Sequence, residues 1–263
     1  MKRIAVMLLM LLTATESFAG PPLNTDDTGT VEVGKVEVEL NGSFTHDRET
    51  IAGISTTNSS ADAELKLTTG IGKDLGASLA IPYIISERVK EDGDLAGTAE
   101  GFGDMTVELK YRFAEFSGVS FAAKPSVILP TGRDSNGLSE GRWQFGGTLI
   151  ATREFAEGKY ALHSNLGYEH HNYRSEEVTA ETRSNLWSAS IAGEAGIGNG
   201  FFVVADIGAR TNPDRISSDR PIYALTGVRY EINEFMAVNA GVKLGLNKAE
   251  DDDSFLYGIV LKF

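Results

Sequence analysis

The chain has 263 residues and a formal net charge of −13, and it contains no cysteine. Without cysteine it has neither a disulfide framework nor a thiolate metal site nor a lipid-anchored cysteine. An acidic chain without a basic cluster repels the phosphates of nucleic acid, so we expect no nucleic-acid partner.

Residues 1–19 have the pattern of a cleavable signal peptide. A basic pair precedes an apolar run that ends at Leu12, and Ser17-Phe18-Ala19 places small residues where signal peptidase requires them. The apolar run has about nine residues, whereas a membrane-spanning helix needs about 20. We therefore expect export, cleavage before Gly20 and no transmembrane helix.

Residues 20–33 follow, and few of them are apolar. From Gly34 onward, apolar and polar residues alternate with period two, which is typical of strands whose two faces meet different surroundings. The clearest example runs from Met105 to Phe113. The alternation predicts about 12 strands, most of them near the 9 to 11 residues that cross a bilayer on a tilt. They cover 36–44, 61–71, 77–85, 105–113, 119–130, 143–153, 159–171, 185–197, 201–210, 222–231, 236–246 and 255–263.

The predicted connections alternate in length. Short ones fall at 72–75, 114–118, 156–158, 198–200 and 232–234, and long polar ones at 47–60, 88–101, 131–141, 172–184, 211–220 and 247–253. Outer-membrane barrels have short periplasmic turns and long external loops, whereas a soluble sandwich has no reason to sort loops by side. We therefore predict an all-β fold, a transmembrane antiparallel up-and-down β-barrel over residues 34–263, with 20–33 as a periplasmic N-terminal segment. Pro82 and Pro125 predict bulges or kinks, because proline cannot donate to the ladder.

The last strand has apolar residues at every second position and ends on an aromatic residue. Phe255, Tyr257, Ile259, Leu261 and Phe263 share one face, which we expect to contact lipid. This strand resembles the C-terminal signal that the barrel-assembly machinery recognises in outer-membrane proteins. It predicts that machinery, outer-membrane lipid and lipopolysaccharide as partners, and closure of the barrel against the strand that starts near Val36.

Charged residues occupy the opposite faces of the strands and are the candidates for lining the lumen. They include Glu37, Glu39, Glu64, Lys66, Asp104, Glu108, Lys110, Arg112, Lys124, Asp206, Arg210, Arg229 and Lys243. Their signs nearly balance, which argues against strong charge selectivity. Two outcomes stay open: a narrow aqueous path, or charges that pair across the interior and close it. We expect residues 21–33 to enter the periplasmic mouth, with Asp26 and Asp27 meeting lumenal lysines or arginines.

Three features bear on catalysis and metal binding. His163 and Ser164 are adjacent, so in a strand they point to opposite faces and cannot act together as a nucleophile and its base. His170 and His171 also point apart, which favours a polar strand end over a metal site. The acidic run 250–253 lacks the spaced ligands of a calcium loop and predicts a solvated loop. We expect neither enzymatic activity nor a cofactor.

Three segments resemble one barrel family. They are GPPLNTDDTGTVEVGKVEVEL at the mature start, GFGDMTVELKYRF and PSVILPTGRDSNG, in which Thr25-Asp26-Asp27, Gly103-Asp104 and Pro130-Thr131-Gly132 carry the likeness. The family is the MetA-pathway of phenol degradation family, and the resemblance covers essentially the mature chain. It implies a barrel that moves hydrophobic or aromatic compounds across the outer membrane.

The residues and the resemblance together predict a passive outer-membrane channel or transporter for small hydrophobic or aromatic solutes. A closed barrel with a structural or adhesion-type role in the envelope is the alternative. An outer-membrane lipid hydrolase is a third reading, which the phase of His163 and Ser164 disfavours.

Overall fold

The computed structural model describes residues 20–51 and 53–263, so the predicted signal peptide lies outside the described residues. Within them the chain forms thirteen strands, one short α-helix, α1 (Glu176–Glu181), and a 3-10 turn at Asp134–Asn136. The strands are β1 (Val36–Ile51), β2 (Ile54–Gly72), β3 (Leu75–Glu91), β4 (Asp94–Phe102), β5 (Met105–Phe116), β6 (Val119–Leu129), β7 (Gln144–Phe155), β8 (Tyr160–His170), β9 (Asn185–Gly198), β10 (Phe201–Arg210), β11 (Ile222–Asn233), β12 (Met236–Gly245) and β13 (Asp253–Lys262).

Twelve of these strands close into an antiparallel barrel, and β4 is an extra strand beside β3. The closing seam joins β1 to β13, with Val38 opposite Leu261. The Val36 amide donates to the Phe263 carbonyl at 3.1 Å, and the Phe263 amide donates to the Val36 carbonyl at 2.8 Å. The predicted all-β barrel and the predicted pairing of its last strand with its first are confirmed.

Short turns lie at one end of the barrel, the turn side, and longer connections lie at the other, the loop side. Two of the predicted long loops are instead β-hairpins that extend the sheet on the loop side. Ile51 pairs with Ile54, and Glu91 pairs with Asp94. Asp92 and Gly93 have φ values of 48° and 94°, as a tight hairpin turn with two left-handed residues requires. The predictions of loops at 47–60 and 88–101 were therefore wrong.

The two prolines behave differently. Pro82 in β3 lies near a register shift in the β2–β3 ladder, between Ala61 and Asp62, as expected. Pro125 in β6 pairs with Gly147 without any shift. On its other side the β5–β6 ladder skips two pairs but keeps its register, since Glu108 pairs with Ser126 and Tyr111 with Ala123. The two ladders thus accommodate the proline, which has no amide hydrogen, without a bulge.

The two faces of the strands are sorted as the alternation predicts. Outward positions carry exposed apolar side chains, among them Leu40, Phe44, Phe255 and Tyr257. Inward positions carry buried polar residues together with a few buried apolar ones, such as Ile150 and Val204. In the part of the chain that the structure describes, no helix is long and apolar enough to cross a bilayer.

Deleting Phe263 removes both backbone hydrogen bonds that join the last residue to Val36, so we expect a smaller fraction of folded barrel. Heat-modifiable migration in detergent gels, in which folded barrel and denatured chain separate, measures that fraction. Phe263→Leu keeps the backbone bonds and is the matched control. An equal loss in both variants would show that the aromatic ring, and not the closing bonds, limits folding.

Candidate functional site

Residues 20–31 lie inside the barrel. Thr25, Asp27 and Thr28 are each 2% exposed or less. Asp206 on β10 anchors the start of the segment, since its carboxylate accepts the Thr25 amide at 2.8 Å and the Thr25 hydroxyl at 2.9 Å. The Tyr223 hydroxyl donates to the same carboxylate at 3.1 Å. The segment is therefore held by directed hydrogen bonds as well as by packing.

A second anchor holds the segment as it returns toward the turn side. The Thr28 amide donates to the Thr152 hydroxyl at 3.1 Å. That hydroxyl also lies 3.0 Å from Nδ1 of the buried His163 on β8. Beyond His163, the Glu194 carboxylate lies 3.1 Å from the Arg229 guanidinium, which stacks over the Phe202 ring at 4.5 Å. This buried charge pair is made by residues of the barrel wall and lies next to His163, on the side away from the segment.

The central contact is electrostatic. The Asp26 carboxylate receives the Lys110 ammonium on Oδ1 at 2.7 Å and the Lys124 ammonium on Oδ2 at 2.9 Å. Asp27 lies 3.6 Å from the same Lys110. The Asn165 amide, oriented with its nitrogen toward the Asp26 carbonyl, donates to it at 2.9 Å and accepts from the Asp26 amide at 2.7 Å. Asp26 and Asp27 thus meet lumenal lysines, as the sequence predicts.

Glycine makes room for the segment on the facing wall. A Cβ added at Gly227 on β11 would lie 2.7 Å from Cγ of Pro22, and one at Gly241 on β12 would lie 2.9 Å from the same atom. Both distances are shorter than real Cβ contacts. A larger side chain at Gly241 therefore displaces the start of the segment, whereas one at Gly227 would also meet the Ala240 carbonyl oxygen, at 2.6 Å.

Two cavities, each of about 250 Å³, lie on either side of the segment. Gly20, Leu23 and Glu37 line the one toward the turn side. Ser188 and Tyr223 line the one toward the loop side. Asn24, Asp26 and Lys124 line both, so the segment and its lysine contact separate two halves of one interior.

The thirteen candidate lumen residues fall into three groups. Those that line the turn-side cavity are Glu37, Glu39, Glu64, Lys66, Glu108, Lys110, Lys124 and Arg229. Asp206 anchors the segment, and Arg210 and Lys243 line the loop-side cavity. The other two lie at the rims: Asp104 accepts hydrogen bonds from the Gly132 amide and the Ser139 hydroxyl, and Arg112 pairs with Asp74 in a turn at 2.8 Å. These two hold connections at the ends of the barrel.

From the sequence, several residues were weighed for catalysis or metal binding. His163 points inward and Ser164 is exposed on the outer side, so the pair is split. Beyond the strand end, His171 lies 2.9 Å from the Glu169 carboxylate. Across residues 20–51 and 53–263, no three His, Asp or Glu side chains lie close enough together to hold a metal ion. Glu250 departs from the predicted solvated loop, because it is buried and lies 2.8 Å from the Lys243 ammonium.

Sequence reasoning missed several residues that contact the segment. They are Ser190, Asn165, Tyr223, Gly227 and Gly241. Tyr223 and Gly227 share the phase of Arg229 on β11, so the alternation placed them inward. Uncharged residues on an inward face carry no signal of their own, however, and only the position of the segment gives them a role.

On the loop side, several connections contact one another. The Arg183 guanidinium, just after α1, donates to the carbonyls of Asn212 at 2.8 Å, Arg215 at 3.0 Å and Ser217 at 3.0 Å. Arg174 pairs with Asp134 across another pair of loops. These contacts hold three strand connections, β6–β7, β8–β9 and β10–β11, in one arrangement.

Replacing Gly241 with valine should expel the start of the segment, because the new side chain occupies the position of Pro22. The chain has no cysteine, so Leu23→Cys provides a unique thiol whose maleimide labelling rate reports exposure. We expect labelling to be several-fold faster with Gly241→Val. Val242→Leu, which changes the adjacent outward position, is the control and should leave the rate unchanged. Equal rates in all three proteins would contradict the proposed contact.

Comparisons with known proteins agree with this architecture. An outer membrane channel from Pseudomonas putida F1 matches with a TM-score of 0.74 and 14% identity over 92% of this chain and 100% of that chain. The NanC porin matches with a TM-score of 0.56 and 12% identity over 86% of this chain and 100% of that chain. The KdgM porin matches with a TM-score of 0.55 and 9% identity over 86% and 99%. At these identities the likeness shows the fold alone.

The search of curated proteins finds no match to this chain. The model of the family described as "Putative MetA-pathway of phenol degradation" matches residues 22–263. That match includes the lumenal segment as well as the barrel. The chain therefore belongs to the MetA-pathway of phenol degradation family and has the fold of an outer-membrane β-barrel.

Proposed function

We propose that the chain is a passive outer-membrane channel for small hydrophobic or aromatic solutes, and that residues 20–31 close it in the conformation described. The family description names phenol degradation, which supports the aromatic class of solute. Export by the cleavable signal peptide 1–19 and assembly through the C-terminal strand belong to the same proposal. The exposed apolar belt around the barrel is the surface that lipid and lipopolysaccharide would contact.

One observation carries the proposal. The interior is occupied by the chain's own N-terminal segment, with a cavity of about 250 Å³ on each side. Barrels of about eight strands fill their interior with wall side chains, whereas wider barrels have space for a ligand or a channel. Here the space is taken by a segment that runs directly into β1 and contacts the other strands only through noncovalent interactions. Removing that segment would join the two cavities into one path.

The structural alternative predicts a different interior. A barrel whose role is purely structural gains from wall side chains that pack against each other, and it has no need of a separate closing segment. The placement of His163 and Ser164 on opposite faces supports a role other than hydrolysis. A permeable interior is the property that distinguishes a channel from both alternatives.

Deleting residues 21–31 should raise single-channel conductance in planar bilayers at least several-fold, because the deletion removes the partition between the two cavities. Swelling of proteoliposomes in phenol, without any energy source, tests the solute class and the passive character. Asn172→Ala, in an external loop, is a control that leaves the segment in place. Equal conductance with and without the segment would contradict its closing role. Absence of conductance and swelling in both proteins would favour the structural alternative.

A further inference from the structure

We propose that Lys110 and Lys124 form a binding site for the carboxylate of a small aromatic acid, and that Asp26 occupies this site when the segment lies in the lumen. The proposal rests on the channel function and narrows its solute class. It gives the lumenal ion pairs a role in selecting solute as well as in holding the segment.

The geometry at Asp26 is that of a bound carboxylate. Each of its oxygens faces a different ammonium, at 2.7 Å from Lys110 and 2.9 Å from Lys124. The two lysines lie on the neighbouring strands β5 and β6, and their side chains are only 19% and 15% exposed. Charge-assisted hydrogen bonds at such distances are stronger than neutral ones. The two lysines therefore clamp one carboxylate, which in this conformation is that of Asp26.

The charges around the clamp depend on the segment. Both carboxylates that pair with Lys110, those of Asp26 and Asp27, come from the segment. Lys124 has one wall partner, Glu108, at 3.2 Å, and Glu108 is shared with Lys66 at 3.5 Å. Withdrawal of the segment would leave Lys110 without either of these partners. Removing one partner of a buried pair is strongly destabilising, so an anion from solution is favoured there.

Lys66 is not part of the clamp, because acidic neighbours already balance it. It lies opposite Glu39 in the β1–β2 ladder and two residues from Glu64 on the same face of β2. Acidic and basic side chains are therefore nearly equal in number over the whole wall but are separated locally. Acidic groups collect along β1 and β2, whereas Lys110 and Lys124 face the segment.

The loop-side cavity supplies space for an aromatic ring beside the clamp. Lys124 and Asp26 form part of its lining, together with Ser190 and Tyr223. A cavity of roughly 150 Å³ is enough to hold benzene, and this one measures about 250 Å³. The Tyr223 ring provides the aromatic contact, and the Lys124 ammonium borders this cavity, whereas Lys110 borders the turn-side one. The site thus matches a molecule with one carboxylate and one ring.

Binding of benzoate to the full mature chain with Asp26→Asn tests the inference. Asparagine keeps the shape of Asp26 but no longer competes as an anion, so calorimetry should show benzoate binding at least tenfold tighter than to the unmodified chain. Benzamide, a neutral isostere, should show no such gain. Adding Lys110→Met and Lys124→Met together should abolish benzoate binding, and Lys124→Met alone should weaken it about fivefold. Lys262→Met, at the turn-side mouth beside Glu37, is the matched control and should leave it intact.

Equal binding of benzoate and benzamide would overturn the proposal, as would benzoate binding that survives loss of both lysines. Heat-modifiable migration verifies that each variant is folded, and the single lysine variant provides the test if the double one is not. The two proposals fail separately. Benzoate binding without conductance in the segment deletion would support the site and refute the channel. Conductance without benzoate binding in Asp26→Asn would refute the site and leave the channel.

Discussion

Backbone hydrogen bonding in lipid is the constraint on which the rest of the structure depends. Within the hydrocarbon layer no water pairs with a free amide or carbonyl, so a spanning sheet must close on itself. In this chain the closure lies at the β1–β13 seam, where Val36 and Phe263 exchange two backbone hydrogen bonds. Closure with twelve strands creates an interior that must then be filled or left as a passage.

The N-terminal segment fills that interior with few apolar contacts. Its bonds to Asp206, Thr152, Lys110 and Lys124 are directed and polar. A segment held by polar contacts can leave the lumen more easily than a packed apolar core can, because water or a solute can replace each hydrogen bond. The Glu194 and Arg229 pair, by contrast, lies wholly within the wall and stays compensated whether or not the segment is present.

Particular residues show where sequence reasoning succeeded and where it did not. Period-two alternation placed Tyr257 outward and Lys110 inward, because the side-chain period of a strand is local and independent of the partner. The loop predicted at 88–101 failed although Asp92-Gly93 is a strong hairpin signal, since polar composition was taken as evidence for a loop. Polar strands that extend beyond the bilayer have no lipid-facing side and therefore lack the alternation that marks the membrane-spanning parts.

The sequence by itself determined the barrel, its approximate strand number, the outward and inward faces, and the meeting of Asp26 and Asp27 with basic residues. These follow from periodicity and charge, which are properties of short stretches. Only the tertiary structure decided that Lys110 and Lys124 clamp a single carboxylate, that Gly227 and Gly241 receive Pro22, and that Glu250 turns inward to Lys243. The first two sets of contacts join the N-terminal segment to strands far from it in sequence, and the third folds a loop back onto β12, so all of them depend on the strand registers and closure of the barrel.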